Sequence, residues 1–408
     1  MNILVLNSGS SSQKASLYQL GATIPGDPPV PAWEGKIEWN GDEANVEVRT
    51  SRGAHIQRQS KAESRKRSIS RLLDTLWTGE TSTISGPEQI NVVGHRVVHG
   101  GPKYRLPVLI TPDVESAVAQ TSLIAPLHNR AELGAVDLIR ERLGEVPQVA
   151  VFDTGFHSQM PDAAAIYPGP YEWLDEGIQR YGFHGINHGY CAERAAHLLG
   201  KELLSLRIVT CHLGNGCSLA AVRDGHGVDT TMGFTPLEGL MMGTRSGSVD
   251  PGILTYLAST HGVSAQHMDE ILNKQSGLLG ISGVSNDMRE VVAAMKQGHA
   301  RAKLAFDIFV HRLRAGIGAM VAALGRLDVL VFTAGIGENS VEVRAAACAE
   351  FSYLGVKIDP QKNLRGLEGD DQDISADDSG AHVFIIRAQE DWAIAQACWK
   401  LLGAPSQM

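Results

Sequence analysis

Apolar and polar positions alternate along the chain with two periods, one of strands and one of helices. Asn2 to Leu6 is an apolar run that stops at Asn7-Ser8-Gly9-Ser10-Ser11-Ser12, and Ala15 to Leu20 resumes it. This predicts strand, tight polar turn, strand. Residues 21–35 are rich in Gly and Pro and read as an irregular loop. Residues 35–90 are polar and weakly patterned, apart from a helical segment around Arg65 to Trp77. Val92 to Val98 predicts a strand carrying His95 and Arg96, followed by His99-Gly100-Gly101. Ala131 to Leu143 has helical spacing, and Val149 to Asp153 is an apolar strand that ends in an acid.

The second half repeats the opening pattern. Ile208 to His212 is apolar, Leu213-Gly214-Asn215-Gly216-Cys217-Ser218 breaks it, and Leu219 to Val222 resumes. Two such strand–turn–strand units, about 200 residues apart, predict a duplicated architecture. Leu304, Ile308, Leu313, Ile317, Met320 and Leu324 recur at helical spacing and predict a long core-facing helix over Lys303 to Leu324. Val329 to Phe332 is a buried strand leading into Thr333-Ala334-Gly335-Ile336-Gly337-Glu338-Asn339, a strand-to-glycine-turn context common at nucleotide sites. Asp391 to Leu402 predicts a last helix. Strands mixed with helices throughout make the class α/β.

Composition narrows the function. At 408 residues the chain exceeds what one core usually serves, so two domains are expected. A net charge of −9 argues against a nucleic-acid binder, and the one basic stretch, Arg58 to Arg71, lacks interleaved aromatics and reads as a solvated surface segment. The five cysteines fall in no CxxC spacing, which predicts a reducing compartment. Met1 to Lys14 has no basic segment ahead of its short apolar run, and no apolar run reaches membrane-spanning length. The expectation is a soluble, cytoplasmic protein.

Several sites carry chemistry. No P-loop, protein-kinase set, GxGxxG after the first strand or GxSxG elbow occurs, so any ATP is bound by another route. The Asn7 to Ser12 turn, with Lys14, offers amides, four hydroxyls and an ammonium. It is either a plain polar turn or a phosphate cradle. The His212 to Ser218 turn offers the same choice, with two glycines that let backbone approach a phosphate. Arg96 sits in an otherwise apolar strand and needs an anionic partner, structural or ligand. Arg245, on the loop Met242-Gly243-Thr244-Arg245-Ser246-Gly247, is a second arginine able to fork onto a planar anion. His184, between Gly182-Phe183 and Gly185, reads as a donor to a transferring phosphoryl group. The His95/His99 and His184/His188 spacings lack a third ligand and do not make a zinc site. Asp153 and Glu390 are candidate magnesium carboxylates, or else cap or ion-pair members.

Taken together, the motifs resemble the acetate kinase family, within the acetate and sugar kinase, heat-shock chaperone and actin superfamily. The strings that carry the resemblance are Asn7-Ser8-Gly9-Ser10-Ser11-Ser12 with Lys14, Gly94-His95-Arg96-Val97-Val98-His99-Gly100-Gly101 and Ala125-Pro126-Leu127-His128-Asn129. Further along are Val151-Phe152-Asp153-Thr154, Tyr181-Gly182-Phe183-His184-Gly185, His212 to Ser218, Gly233 to Gly247, Gly277 to Gly280, Asn286 to Arg289 and Gly335 to Asn339. They run collinearly from residue 2 to about residue 395, and Gly233 to Gly247 is the most specific.

The resemblance implies two duplicated actin-like (ribonuclease H-like) domains of βββαβαβα type around a central cleft. The first would be 1–153 plus a returning 391–408, the second 154–390, and the assembly a homodimer. It implies reversible transfer of the ATP γ-phosphoryl group to acetate, giving acetyl phosphate and ADP by in-line displacement. Mg²⁺ would be required, with Mn²⁺ as a substitute. Arg96, Arg245 and His184 would stabilise the transferred group and orient the carboxylate. Asn7, Asp153 and Glu390 would surround the metal. Lys14, Ser10, Ser11, Ser12, His212, Leu213, Gly214, Asn215 and Gly216 would hold phosphates. Asp287, Met288, Arg289, Gly335, Ile336, Gly337, Glu338 and Asn339 would hold ribose and adenine. Val98, Leu127, Phe183 and Pro236 would form the methyl pocket.

The sequence departs from the family at Ser248, where an acid usually follows Arg-Ser-Gly, at Gln389-Glu390-Asp391, and through the divergent segment 20–90. Two rivals stand beside this reading. One is a propionate or butyrate kinase, since one methylene is worth only about 1–3 kcal/mol of discrimination. The other is a nucleotide-switched binding module without turnover.

Overall fold

The computed structural model describes residues 1–9, 12–121, 126–367 and 370–403, the side chains of 126–130 excepted. The chain divides into two units, Met1–Gly155 with Gln389–Met408, and Phe156–Ala388.

The first unit is built on eight strands: β1 (Asn2–Ser8), β2 (Ser12–Gln19), β3 (Trp33–Asn40), β4 (Glu43–Thr50), β5 (His55–Lys61), β6 (Val92–Val97), β7 (Val108–Leu109) and β8 (Gln148–Phe152). They form one sheet in the order β5-β4-β3-β2-β1-β6-β8-β7. β1 to β5 pair antiparallel, and β6 and β8 run parallel to β1. The second unit contains β9 (Arg207–Leu213), β10 (Cys217–Arg223), β11 (His226–Thr230), β12 (Val329–Thr333), β13 (Gln372–Asp373) and β14 (His382–Ile385), in the order β11-β10-β9-β12-β14-β13. Here too the first three strands are antiparallel, and β12 and β14 run parallel to β9. The cores β3-β2-β1-β6-β8 and β11-β10-β9-β12-β14 therefore share one topology. The fold is α/β and duplicated.

Each repeat is completed by a helix that follows the other unit's last strand in the chain. Helix Gly185–Leu199, after β8, packs on β9 and β12 of the second unit. Helix Glu390–Leu402, after β14, packs on β1 and β6 of the first. Its seat depends on Gly94 in β6, where a Cβ would come within 2.6 Å of both Cys398 Sγ and Ile394 Cγ2. The central strands are buried along nearly their whole length, β1, β8, β9 and β12 among them. That is the burial expected of strands covered on both faces.

Two expectations are corrected. Residues 35–90 were expected to be weakly patterned, yet 33–61 form three antiparallel strands. Trp33, Gly35, Ile37 and Trp39 alternate with charged residues, Asn40-Gly41-Asp42 turns with Gly41 at φ +61, and the sheet edge keeps the outer face polar. Trp33 and Ile37 are fully buried in the unit's core beside Leu72 and Leu73. The long helix Ala300–Leu324 buries Ala305, Phe309, Leu313, Ile317 and Leu324. Leu304, assigned to its core face, is instead 51% exposed, because the buried stripe runs one residue over, through Ala305.

Candidate active site

In the first unit, the parallel strands β1, β6 and β8 deliver three polar groups to the carboxyl end of the sheet, where α/β folds place ligands. Arg96, on β6, donates from Nη2 to Asp153 Oδ2 at 2.5 Å and from Nη1 to the Ser8 carbonyl at 3.3 Å. Its Nε lies 3.9 Å from Glu390 Oε2. Asp153 is 1% exposed, so the pair is buried, and the surrounding carboxylates hold the guanidinium charged. Asn7, at the end of β1, donates from Nδ2 to Glu390 Oε2 at 3.0 Å and to Asp391 Oδ1 at 2.9 Å. Ser16 donates to the other Asp391 oxygen at 2.8 Å. The structure thus brings together Asn7, Arg96, Asp153 and Glu390 and adds Asp391, which sequence reading left as a flanking residue.

The Mg²⁺ that the resemblance implies would meet oxygen donors here. An amide oxygen and two carboxylates are hard oxygen donors, the kind Mg²⁺ takes. Among the described residues no three His, Cys, Asp or Glu side chains make a metal cage. Mg²⁺ usually takes one or two carboxylates and completes its shell with phosphate and water. Asn7 and Glu390 fit that demand.

Glu132 was missed altogether. It lies on helix Pro126–Leu143, is 2% exposed, and accepts from the Val98 amide with both oxygens at 3.2 Å. Burial pushes its carboxyl up to about 8, against the pull of Arg96. No periodicity distinguishes it from a surface acid. Val98 itself is buried at the end of β6. The side chain of Leu127 and residues Ser10 and Ser11 lie outside the described residues. Ser12 closes the Gly9 turn, its carbonyl accepting from Gly9 N at 2.9 Å, and Lys14 is exposed on β2.

In the second unit the β9–β10 turn is the focus. Gly214 N donates to the Gly216 carbonyl at 3.0 Å, which shapes the turn. A Cβ on Gly216 would stand 3.5 Å from Arg245 Nη1 and from His184 Nε2. Both side chains therefore border the turn. His184 caps helix Gly185–Leu199 with φ +56, a left-handed conformation that costs a non-glycine residue energy and marks functional sites. Its ring stacks on His212, with centroids 4.0 Å apart and planes 11° off parallel. Arg245 donates to the Pro236 carbonyl at 3.2 Å. Among the described residues it has no carboxylate in ion-pair reach, and burial lowers its pKa. Phe183 is 1% exposed, and its carbonyl faces His157 Nε2 at 3.2 Å. Ser248, where the family has an acid, accepts from Gly239 N at 3.0 Å, so a hydrogen bond closes the 239–248 loop.

Beside this turn a cleft of about 560 Å³ is lined by Gly214, Asn215, Asn286, Asp287, Met288, Arg289, Gly335, Ile336 and Asn339, with Val292, Ser340 and Glu342. Asp287 caps helix Met288–Lys296 through Arg289 N at 2.8 Å and holds the Arg289 guanidinium. Leu213 and Gly337 do not line this cleft. They are buried against each other, Leu213 Cβ lying 3.7 Å from a Cβ built on Gly337. Glu338 turns inward and accepts from Ala334 N at 2.9 Å and Ala388 N at 2.8 Å. Arg344, fully buried and also missed, donates to the carbonyls of Gly337 and Glu338 at 2.8 Å and so braces the Gly335–Asn339 segment.

Three comparisons bear on this geometry. Residues 2–396 match the sequence profile described as "Acetokinase family". The chain is 56% identical to the acetate kinase of Cyanothece sp. over 409 aligned positions, covering 100% of both. Among solved structures, the acetate kinase of Porphyromonas gingivalis is 38% identical with a TM-score of 0.89, covering 98% of this chain and 99% of that one. A propionate kinase from Francisella tularensis is also 38% identical, with a TM-score of 0.87 and coverage of 97% and 98%.

Proposed function

The chain belongs to the acetokinase family, and from that premise we propose that it is an acetate kinase, transferring the ATP γ-phosphoryl group to acetate and back. The observation that carries the reading is Arg245. It is a largely buried arginine on a glycine-flanked loop, beside His184 and the Gly214–Gly216 turn, with no carboxylate partner among the described residues. A cation held this way is built to receive an anion that arrives with the substrate.

In this reading acetate arrives already ionised and needs no general base. Its carboxylate attacks phosphorus in line, and the ADP oxygen leaves with the bond electrons. Arg245 and His184 donate to the phosphoryl oxygens as charge spreads over them. Arg96 is held in one orientation by Asp153 and orients the carboxylate. The 560 Å³ cleft takes ribose and adenine, with Asp287, Gly335 and Ile336 as contacts. His212 and the backbone of Gly214, Asn215 and Gly216 take the phosphates. Mg²⁺, or Mn²⁺ in its place, would be held by Asn7 and Glu390 with Asp153 nearby, and would neutralise phosphate charge. Val98, Leu127, Phe183 and Pro236 would bound the methyl group.

The protein is read as cytoplasmic. No helix among the described residues is long and apolar enough to cross a membrane. Homodimer assembly belongs to the same reading. Helix Pro251–His261 buries none of its residues and leaves Ile253 46% and Tyr256 58% exposed, which supplies apolar area for a second copy.

A propionate or butyrate kinase is the second reading, because the Francisella propionate kinase is as similar to this chain as the Porphyromonas acetate kinase. Hydroxylamine trapping of acyl phosphate with Mg-ATP and each acid separates the two. Highest turnover with acetate, lost in Arg96→Ala, is expected. Highest turnover with propionate or butyrate would keep the chemistry and change the substrate. ATP binding with no acyl phosphate from any acid would refute the kinase reading in favour of a binding module.

A further inference from the structure

Behind His184 the second unit holds a line of polar side chains that phosphoryl transfer does not use directly. His184 Nδ1 is 2.8 Å from Ser218 Oγ on β10. The same hydroxyl is 2.7 Å from His188 Nε2, one helical turn after His184. His188 Nδ1 is 2.6 Å from Thr210 Oγ1 on the adjacent strand β9. His188, Ser218 and Thr210 are each 0% exposed. The chain Thr210–His188–Ser218–His184 thus runs through the core and ends at the ring beside the phosphate turn.

Counting hydrogens leaves two arrangements in which the Ser218 hydrogen lies along the line. A neutral imidazole has one donor and one acceptor nitrogen, and a hydroxyl has one hydrogen. If Thr210 donates to His188 Nδ1, then His188 Nε2–H donates to Ser218, Ser218 donates to His184 Nδ1, and the His184 proton sits on Nε2. In the reverse order His184 Nδ1 carries the hydrogen. Its Nε2 is then a lone-pair acceptor facing an anion unless the ring is also protonated.

The neighbouring ring removes the protonated form, so the reverse order would leave a lone pair facing the anion. Asn187 Nδ2 faces His212 Nδ1 at 2.9 Å and Thr333 Oγ1 at 3.3 Å, while its Oδ1 accepts from the Cys191 thiol at 3.7 Å. His212 Nδ1 is therefore an acceptor, and its hydrogen is on Nε2, 3.8 Å from a Cβ built on Gly214. His184 lies flat on this ring, where a second imidazole is better neutral than cationic.

We propose that Thr210, His188 and Ser218 form a buried relay that fixes His184 as the neutral Nε2–H tautomer, so that it meets the transferred phosphoryl group as a donor. The inference rests on the kinase reading above. His188 and Ser218 are positioning residues, since they act through His184. The i,i+4 histidine pair that looks like a metal motif in sequence is half of this relay. Its second ring faces inward to two hydroxyls.

The test is nitrogen NMR of histidine-labelled protein, with His184 assigned by its loss in His184→Gln, together with steady-state kinetics. Wild type is expected to show the His184 proton on Nε2. Ser218→Ala should give a tautomer mixture and lower kcat about ten- to a hundredfold, with KM for ATP and acetate within about twofold, the size usual for outer-layer partners. His188→Gln, whose amide can still donate to Ser218, should keep more activity than His188→Leu. An unchanged tautomer in Ser218→Ala, or equal activity of the two His188 variants, overturns the relay. Full turnover of His184→Ala would overturn the site reading itself, and the NMR result is independent of turnover, so the two failures are distinguishable.

Discussion

Replacing each of the two arginines by methionine should separate a ligand-seeking charge from a structural one. Arg245 donates to one backbone carbonyl, Pro236 O at 3.2 Å, and has no acid in reach among the described residues. Arg245→Met loses that charge-assisted hydrogen bond, about 1.5–3 kcal/mol, but removes the cost of an uncompensated, largely buried charge, which is of similar size. The folded protein should change by no more than about 1 kcal/mol, a shift of about one degree in Tm. Arg96→Met is different, because it strands Asp153, 1% exposed, without the guanidinium 2.5 Å away. Breaking a buried pair costs about 3–5 kcal/mol, so the unfolding transition of a chain this size should drop by about four to six degrees. Both variants should lose activity, Arg245→Met by about 10³–10⁵-fold, the range for arginines that stabilise a transferring phosphoryl group. Scanning calorimetry and hydroxylamine trapping on the same preparations read both quantities. If Arg245→Met is destabilised as much as Arg96→Met while keeping activity, Arg245 is a structural residue and the anion-site reasoning is wrong.

Glu132 should make stability fall as pH rises. Its native carboxyl, near 8, keeps a proton that the unfolded chain releases near 4.5, so stability declines between those values by about 1.4 kcal/mol per pH unit and levels off above. Denaturant titrations of Glu132→Gln from pH 6.5 to 8 should be flatter than wild type. His95, His99 and His157, each pushed down to about 4 by burial, act in the opposite direction. The unfolded chain binds protons they refuse, so stability is lost as pH falls through 6.5 toward 4, by about 2 kcal/mol each at pH 5. The three histidines outweigh Glu132 in this range, so denaturant titrations followed by circular dichroism should show lower stability at pH 5 than at pH 7, and equal or higher stability at pH 5 would contradict these burials. Gly216→Ala should fold normally, since its Cβ meets only ordinary contacts at 3.5 Å, but should lose kcat because the methyl occupies the space between Arg245 and His184. Asp287→Ala should raise KM for ATP while leaving KM for acetate near wild type, as expected of a residue on the 560 Å³ cleft wall.

The parts legible in the sequence were those where local chemistry has few solutions. Asn7 to Ser12 and Leu213 to Gly216 could only be turns between strands, and their repetition foretold two sheets of one topology. An arginine in an apolar strand had to have an anionic partner, and Arg96 has Asp153. What could not be read is set by long-range packing. Glu132 looks like any helical acid until Val98 is found beneath it. The exchange of helices Gly185–Leu199 and Glu390–Leu402 leaves no local signal, because each packs on strands far from it in the chain, and the return of 391–408 to the first unit was expected from the family resemblance alone. The strands at 33–61 did have a signal, the alternation from Trp33 to Trp39. The charged positions between them are what a sheet edge requires, and they obscured it. His188 was legible as one turn from His184, but only the position of Ser218 shows what the pair is for.

Phosphorus NMR of the purified chain with Mg-ATP tests the phosphoryl-transfer reading most directly, recorded with and without acetate. The account predicts that the ATP γ resonance decays only when acetate is present, with ADP and acetyl phosphate growing in equal amounts, and that ATP returns when acetyl phosphate and ADP are supplied. ATP that stays intact with acetate, or is hydrolysed to inorganic phosphate at a rate indifferent to it, would contradict the account.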